Sequence, residues 1–123
     1  MPHLTVEKWE ETLILACNTG AKHISIYDLQ VEESTAFARW YSPGVYPLPT
    51  EEVAAQMYKR AVQVLTDVGN FEHYEISNYA LPGYRSRHNQ MYWNCQPFWG
   101  FGLAAASYIG KSKILSLLYY TPI

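Results

Sequence analysis

A chain of 123 residues and 14.2 kDa is long enough to close one hydrophobic core and not two, and a hydrophobic share of 49% excludes a disordered tail. No run of eighteen apolar residues occurs, so no segment reads as a membrane-spanning helix, and Met1-Pro2-His3-Leu4 has neither the basic head nor the apolar stretch of a signal peptide. The net charge of −2 conceals a division: through Glu75 eleven acids face five bases, whereas from Ile76 onward Arg85, Arg87, Lys111 and Lys113 stand without an acid. The later part should therefore attract anions, although four spread cations fall far short of the basic stripe of a nucleic-acid binder.

Thr5 is placed to cap a helix over residues 6–19, in which Trp9, Leu13, Ala16 and Cys17 recur at helical spacing until Gly20. Residues 22–27 alternate, with Ile24 and Ile26 on one side, and read as a strand. A helix feeding a strand through a short loop is half of a repeating α/β unit, and it directs Tyr27, Asp28 and Gln30 toward the end where such folds bind ligands. Residues 31–49, with Pro43-Gly44 and Pro47-Leu48-Pro49, read as an aperiodic excursion pinned by Trp40, Tyr41 and Tyr46.

Thr50, followed by Glu51 and Glu52, opens the strongest helix of the chain. Its apolar stripe is Val53, Met57, Ala61, Val64 and Val68, flanked by Tyr58 and Leu65, and Gly69 stops it. Residues 71–76 read as a second strand, with Tyr74 and Ile76 on one face and His73 and Glu75 on the other. Leu81-Pro82-Gly83 is a turn signal. Residues 100–109 read as a third, buried strand whose glycines and alanines admit a close approach to the backbone. The tail 111–123 has no evident partner; Leu115, Leu117, Leu118, Tyr119 and Tyr120 suit a short helix or strand.

Between the turn and the third strand, Tyr84-Arg85-Ser86-Arg87-His88-Asn89-Gln90-Met91-Tyr92-Trp93 concentrates two guanidiniums, an imidazole, a carboxamide and several rings. A flat, anionic, metal-centred molecule needs a cation for its carboxylates, rings to lie against and an imidazole for the metal, and all three are present. Cys17 and Cys95 are too few and too far apart for a disulfide framework or a multi-cysteine metal site.

Five stretches in order, beginning at His3-Leu4-Thr5, His23-Ile24-Ser25, His73-Tyr74-Glu75, His88-Asn89-Gln90 and Gly100-Phe101-Gly102, resemble the HemW branch of the radical S-adenosylmethionine proteins. These are the haem-chaperone relatives of oxygen-independent coproporphyrinogen III oxidase. The resemblance runs from about Pro2 to Gly110. It implies an α/β fold, the end of a partial (β/α) barrel followed by the start of a smaller C-terminal α+β region. The implied division is 1–30 for the last helix–strand unit, 31–110 for the C-terminal region and 111–123 for an atypical tail. It further implies that His88-Asn89-x-x-Tyr92-Trp93 matches the family's haem-binding H-N-x-x-Y-W motif, with His88 on the haem iron and the strand from Gly100 and Gly102 beside the S-adenosylmethionine pocket. The family's C-x-x-x-C-x-x-C signature, which holds an iron–sulfur cluster, has no counterpart here, so the chain is expected to match only the later part of a family protein, as a truncated or alternatively ended product.

Three functions follow from these residues. In the first, His88 ligates haem iron, Arg85 and Arg87 pair with propionates, and Asn89, Tyr92 and Trp93 complete a haem site that passes its cargo to haem-accepting proteins. In the second, the chain is a fragment of a coproporphyrinogen oxidase that contributes S-adenosylmethionine and substrate walls, inactive without the cluster. In the third, the rings and guanidiniums bind single-stranded nucleic acid, which the acidity of the first part of the chain opposes. The expected compartment is the cytoplasm, or a mitochondrion or chloroplast if a presequence precedes the chain, and the expected solution behaviour is self-association through uncovered apolar faces.

Overall fold

A computed structural model describes residues 1–103, 105–110 and 112–115, the last group by its backbone. The chain forms two compact units, one spanning Met1–Arg85 and a second beginning at Ser86. The elements are mixed helix and strand, an α/β class in the broad sense.

In the first unit, α1 (Val6–Asn18) begins where expected, with the Thr5 side chain accepting from the Lys8 amide at 3.3 Å. A three-residue strand, β1 (His23–Ser25), follows, and Ile24 and Ile26 both pack on the core. The excursion contains a short helix, α2 (Ala36–Trp40), capped by Thr35. Two of its three expected anchors are corrected: Trp40 and Tyr46 are 71% and 81% exposed, Tyr41 is half-buried against Phe37, and the buried residue of this stretch is Leu48.

Helix α3 (Glu51–Gln63) is capped by Thr50 and continues into a π-helical turn over Val64–Val68. The Gly69 amide reaches back five residues to the Val64 carbonyl at 3.0 Å. This widened turn corrects the expected stripe. Val64 and Leu65, adjacent in sequence, are both buried, while Val68, next in the regular series, turns out to 60% exposure. Gly69 is required there, because a Cβ would lie 2.7 Å from Cys17 Sγ and 2.9 Å from the Leu65 carbonyl oxygen.

The expected strand over 71–76 is also corrected. Only β2 (Glu72–His73) is paired; the chain then turns so that the Ser77 amide donates to Glu75 Oε1 at 2.7 Å and Ile76 is left exposed at the tip. The returning strand β3 (Asn78–Ala80) is buried throughout and central in an antiparallel sheet of order β1-β3-β2. Its register pairs His23 with Ala80, Ser25 with Asn78, and His73 with Tyr79. One core results, made by Leu13, Ala61, Val64, Leu65, Phe71 and Tyr79, with Trp9, Cys17 and Leu81 packed around it. Trp9 Nε1 also donates to the Met57 carbonyl at 2.9 Å, and Glu10 pairs with Arg60, so two polar contacts join α1 to α3.

The second unit holds α4 (Arg87–Trp93) and an antiparallel hairpin, β4 (Ala106–Ile109) with β5 (Ser112–Leu115), in which Ala106 pairs with Leu115 and Ile109 with Ser112. The expected buried strand over 100–109 is thus confined to its second half. Phe101 and Leu103 are exposed, and a turn closed by the Ala105 amide on the Gly102 carbonyl precedes β4. Part of the tail, 112–115, has a partner after all in β4; Ala104, Lys111 and residues 116–123 lie outside the described residues.

Candidate functional site

The H-N-x-x-Y-W residues of the motif segment lie on the helix α4. Its start is fixed by the Ser86 hydroxyl, which accepts from the Asn89 amide at 3.3 Å. Its end is a Schellman turn: the Cys95 amide donates to the Tyr92 carbonyl and the Gln96 amide to the Met91 carbonyl, with Cys95 at φ 51° in the left-handed position that glycine usually takes. Seven residues are too few for a periodic signal, but H-N-x-x-Y-W is itself a helical spacing. His88 and Tyr92 form one i,i+4 pair and Asn89 and Trp93 a second pair on the adjoining face.

The rings take this further. His88 and Tyr92 meet edge to face with centroids 4.4 Å apart and planes at 72°, and Tyr92 meets Phe98 in the same manner at 4.4 Å and 73°. Phe98 lies nearly parallel to Tyr108 at 6.2 Å. Tyr92, Cys95, Phe98, Ala106 and Tyr108 line an open concavity of about 480 Å³. Phe98, Ala106 and Tyr108 were missed by the sequence reading as site residues; the alternation within Ala106–Ile109, which sets Ala106 and Tyr108 on one face of the strand, was the available signal.

The four histidines of the chain differ in how their ring nitrogens are used. His3 Nδ1 is 3.0 Å from the Tyr46 hydroxyl, His23 Nε2 is 2.6 Å from the Tyr74 hydroxyl, and His73 Nε2 is 3.2 Å from the Ile76 carbonyl. His88 is exposed, and neither of its nitrogens is hydrogen-bonded to a described residue. The two guanidiniums differ as well. Arg85, the last residue of the first unit, donates twice to Glu72 Oε2 at 3.0 and 3.1 Å and lies over the Tyr74 ring, whereas Arg87 is exposed and makes no ion pair with a described residue.

Gly100 and Gly102 also belong to the second unit. A Cβ on Gly100 would lie 2.3 Å from the Ala106 carbonyl oxygen, so the close approach expected at this glycine is made by the backbone of Ala106. Gly102 adopts φ +107° in open space. Among the described residues no three His, Cys, Asp or Glu side chains converge into a metal site, and no helix is long and apolar enough to cross a membrane.

The chain is 46% identical over 113 residues to the haem chaperone HemW of Synechocystis, which covers 92% of this chain and 27% of that protein. It is 34% identical over 117 residues to the haem chaperone HemW of Bacillus subtilis, covering 95% of this chain and 31% of the relative. With the mitochondrial radical S-adenosyl methionine domain-containing protein 1 of Mus musculus it shares 36% identity over 105 residues. Over most of its length the chain resembles part of the HemW-type radical S-adenosylmethionine proteins. It spans under a third of the length of these relatives, and its two cysteines do not form the three-thiolate signature of the family. No family model and no solved structure matches it. The four motif residues His88, Asn89, Tyr92 and Trp93 share one short helix, while Arg85 is engaged in the other unit.

Proposed function

We propose that this chain carries the haem-binding portion of a HemW-type protein and holds haem iron through His88 for transfer to a haem-accepting protein. The observation that carries the reading is the state of the imidazole: His88 is the histidine whose ring nitrogens have no described partner, on a capped helix and beside aromatic rings. The donor set fits haem. The His88 imidazole would hold the haem iron, the rings of Tyr92 and Trp93 and the neighbouring concavity would offer apolar surface for the macrocycle, and Arg87 would offer a guanidinium for a propionate. Arg85 joins it only by giving up Glu72. Bound haem would supply a redox-active iron; the chain's own part is to present one nitrogen, anchor the carboxylates and shield one side of the ring from water.

On this reading residues 1–30 are the last helix–strand unit of a partial barrel, 31–110 the C-terminal region and 111–123 an atypical tail. Radical chemistry is not assigned to this chain by itself, because two cysteines cannot supply three thiolates to a cluster. Titration of the purified chain with ferric haem, followed in the Soret band, tests the reading: the parent should give a saturable shifted band that His88→Ala loses. Identical spectra for the two would remove His88 as the ligand.

A further inference from the structure

We infer that Phe98 and Tyr108, which lie outside the H-N-x-x-Y-W motif, are positioning residues for His88 and act through Tyr92; this rests on the haem reading above. An imidazole on an exposed helix turns broadly about its second side-chain torsion unless a neighbour at helical spacing packs against it. Here the limit comes from Tyr92, whose ring stands edge-on to His88, and Tyr92 is itself held by the edge-on ring of Phe98. A chain of such contacts fixes an orientation only if its far end is fixed, and Phe98 supplies that anchor.

Its backbone is bridged to β4 by two hydrogen bonds, Phe98 amide to Tyr108 carbonyl at 2.8 Å and Tyr108 amide to Phe98 carbonyl at 2.9 Å, while its ring lies along Tyr108. Two residues on, the Gly100 amide donates to Ser107 Oγ at 2.9 Å, and the missing Cβ of Gly100 lets the two backbones close. Ser107 is buried, so this second clasp is shielded from water. The ladder His88, Tyr92, Phe98, Tyr108 thus transmits the rigidity of the hairpin to the imidazole. Its consequence for ligation is pre-organisation: the ordering of the ring is complete before iron arrives, and affinity rises by what that ordering would otherwise cost.

The test compares Phe98→Leu, Phe98→Ala and Phe98→Tyr in the full chain. Phe98→Leu keeps the backbone bridge and an apolar side chain while removing the ring; unchanged amide shifts at Ser107 and Tyr108 verify that the hairpin survives. In the haem-free chain, the ring protons of His88 should carry a ring-current displacement in the parent and in Phe98→Tyr that Phe98→Leu and Phe98→Ala lose. With ferric haem as the probe, the two ring-less variants should bind roughly fivefold more weakly, with Phe98→Tyr restoring parental affinity. A Phe98→Leu chain whose His88 proton shifts and haem affinity both match the parent would overturn the inference. Equal Soret spectra of parent and His88→Ala would instead strike the haem reading, and the haem-free shifts would then decide the ladder alone.

Discussion

The two units use the same residue types in opposite ways. In the first, a ring at the core anchors its neighbours: Tyr79 is fully buried, His73 stacks on it at 4.4 Å with planes 8° apart, and each histidine spends a ring nitrogen on a hydroxyl or a carbonyl. In the second, Ser107 is the one buried side chain among the described residues, and the ladder from His88 to Tyr108 lies along the surface. Rings that pack on a core are held by burial, which shuts their polar atoms away from water. Rings held by one another and by a backbone bridge leave an imidazole ordered and open, which is the condition a ligand requires.

The largest effect that sharpens this contrast should come from the core. Leu65→Ala, which empties a fully buried position, should lower stability by about 3 kcal/mol in denaturant melts, whereas Leu103→Ala, at a residue 71% exposed in the second unit, should stay within about 0.5 kcal/mol. Comparable losses for the two would break the distinction. Next in size, Gly100→Ala places a methyl against the Ala106 carbonyl and should cost about 2 kcal/mol while increasing amide exchange at Phe98 and Tyr108; unchanged exchange there would show that the bridge does not depend on the missing Cβ.

A smaller effect is expected at Tyr79, whose buried hydroxyl has no hydrogen-bond partner among the described residues. Tyr79→Phe should leave stability at neutral pH unchanged or higher by up to about 1 kcal/mol. Burial, reinforced by Tyr58, pushes the Tyr79 hydroxyl up to about 12. Because the folded value lies above the unfolded one near 10, its contribution is complete below about pH 10 and is lost as pH rises through the window to about 12. Tyr79→Phe should flatten that alkaline limb, and an unaltered limb would assign it to other groups.

Much of the first unit was legible because its signals are local. Thr5 and Thr50 cap as their spacing requires, and the stripe through Met57, Ala61 and Val64 is the buried one. The π-helical turn was not legible, since Val64 to Val68 keeps a regular apolar interval and only the packing of Leu65 and Gly69 shifts its phase. Strand β3 was missed for a related reason: Asn78-Tyr79-Ala80 is buried on both faces and shows no alternation, and the polar Asn78 is satisfied by Ser25 and Glu75 from elsewhere in the chain. In the second unit the motif residues could be named but not their helix, because seven residues carry no period. Phe98 and Tyr108 depend on a bridge ten residues apart that no local pattern announces.

The most direct measurement is a ferric-haem titration of four single variants, His3→Ala, His23→Ala, His73→Ala and His88→Ala, beside the parent. His88→Ala alone should lose the shifted Soret band, with the other three retaining it, since each of those rings already spends one nitrogen on a partner within the first unit. Retention of the band by His88→Ala, or its loss in one of the other three that remains folded, would contradict the account.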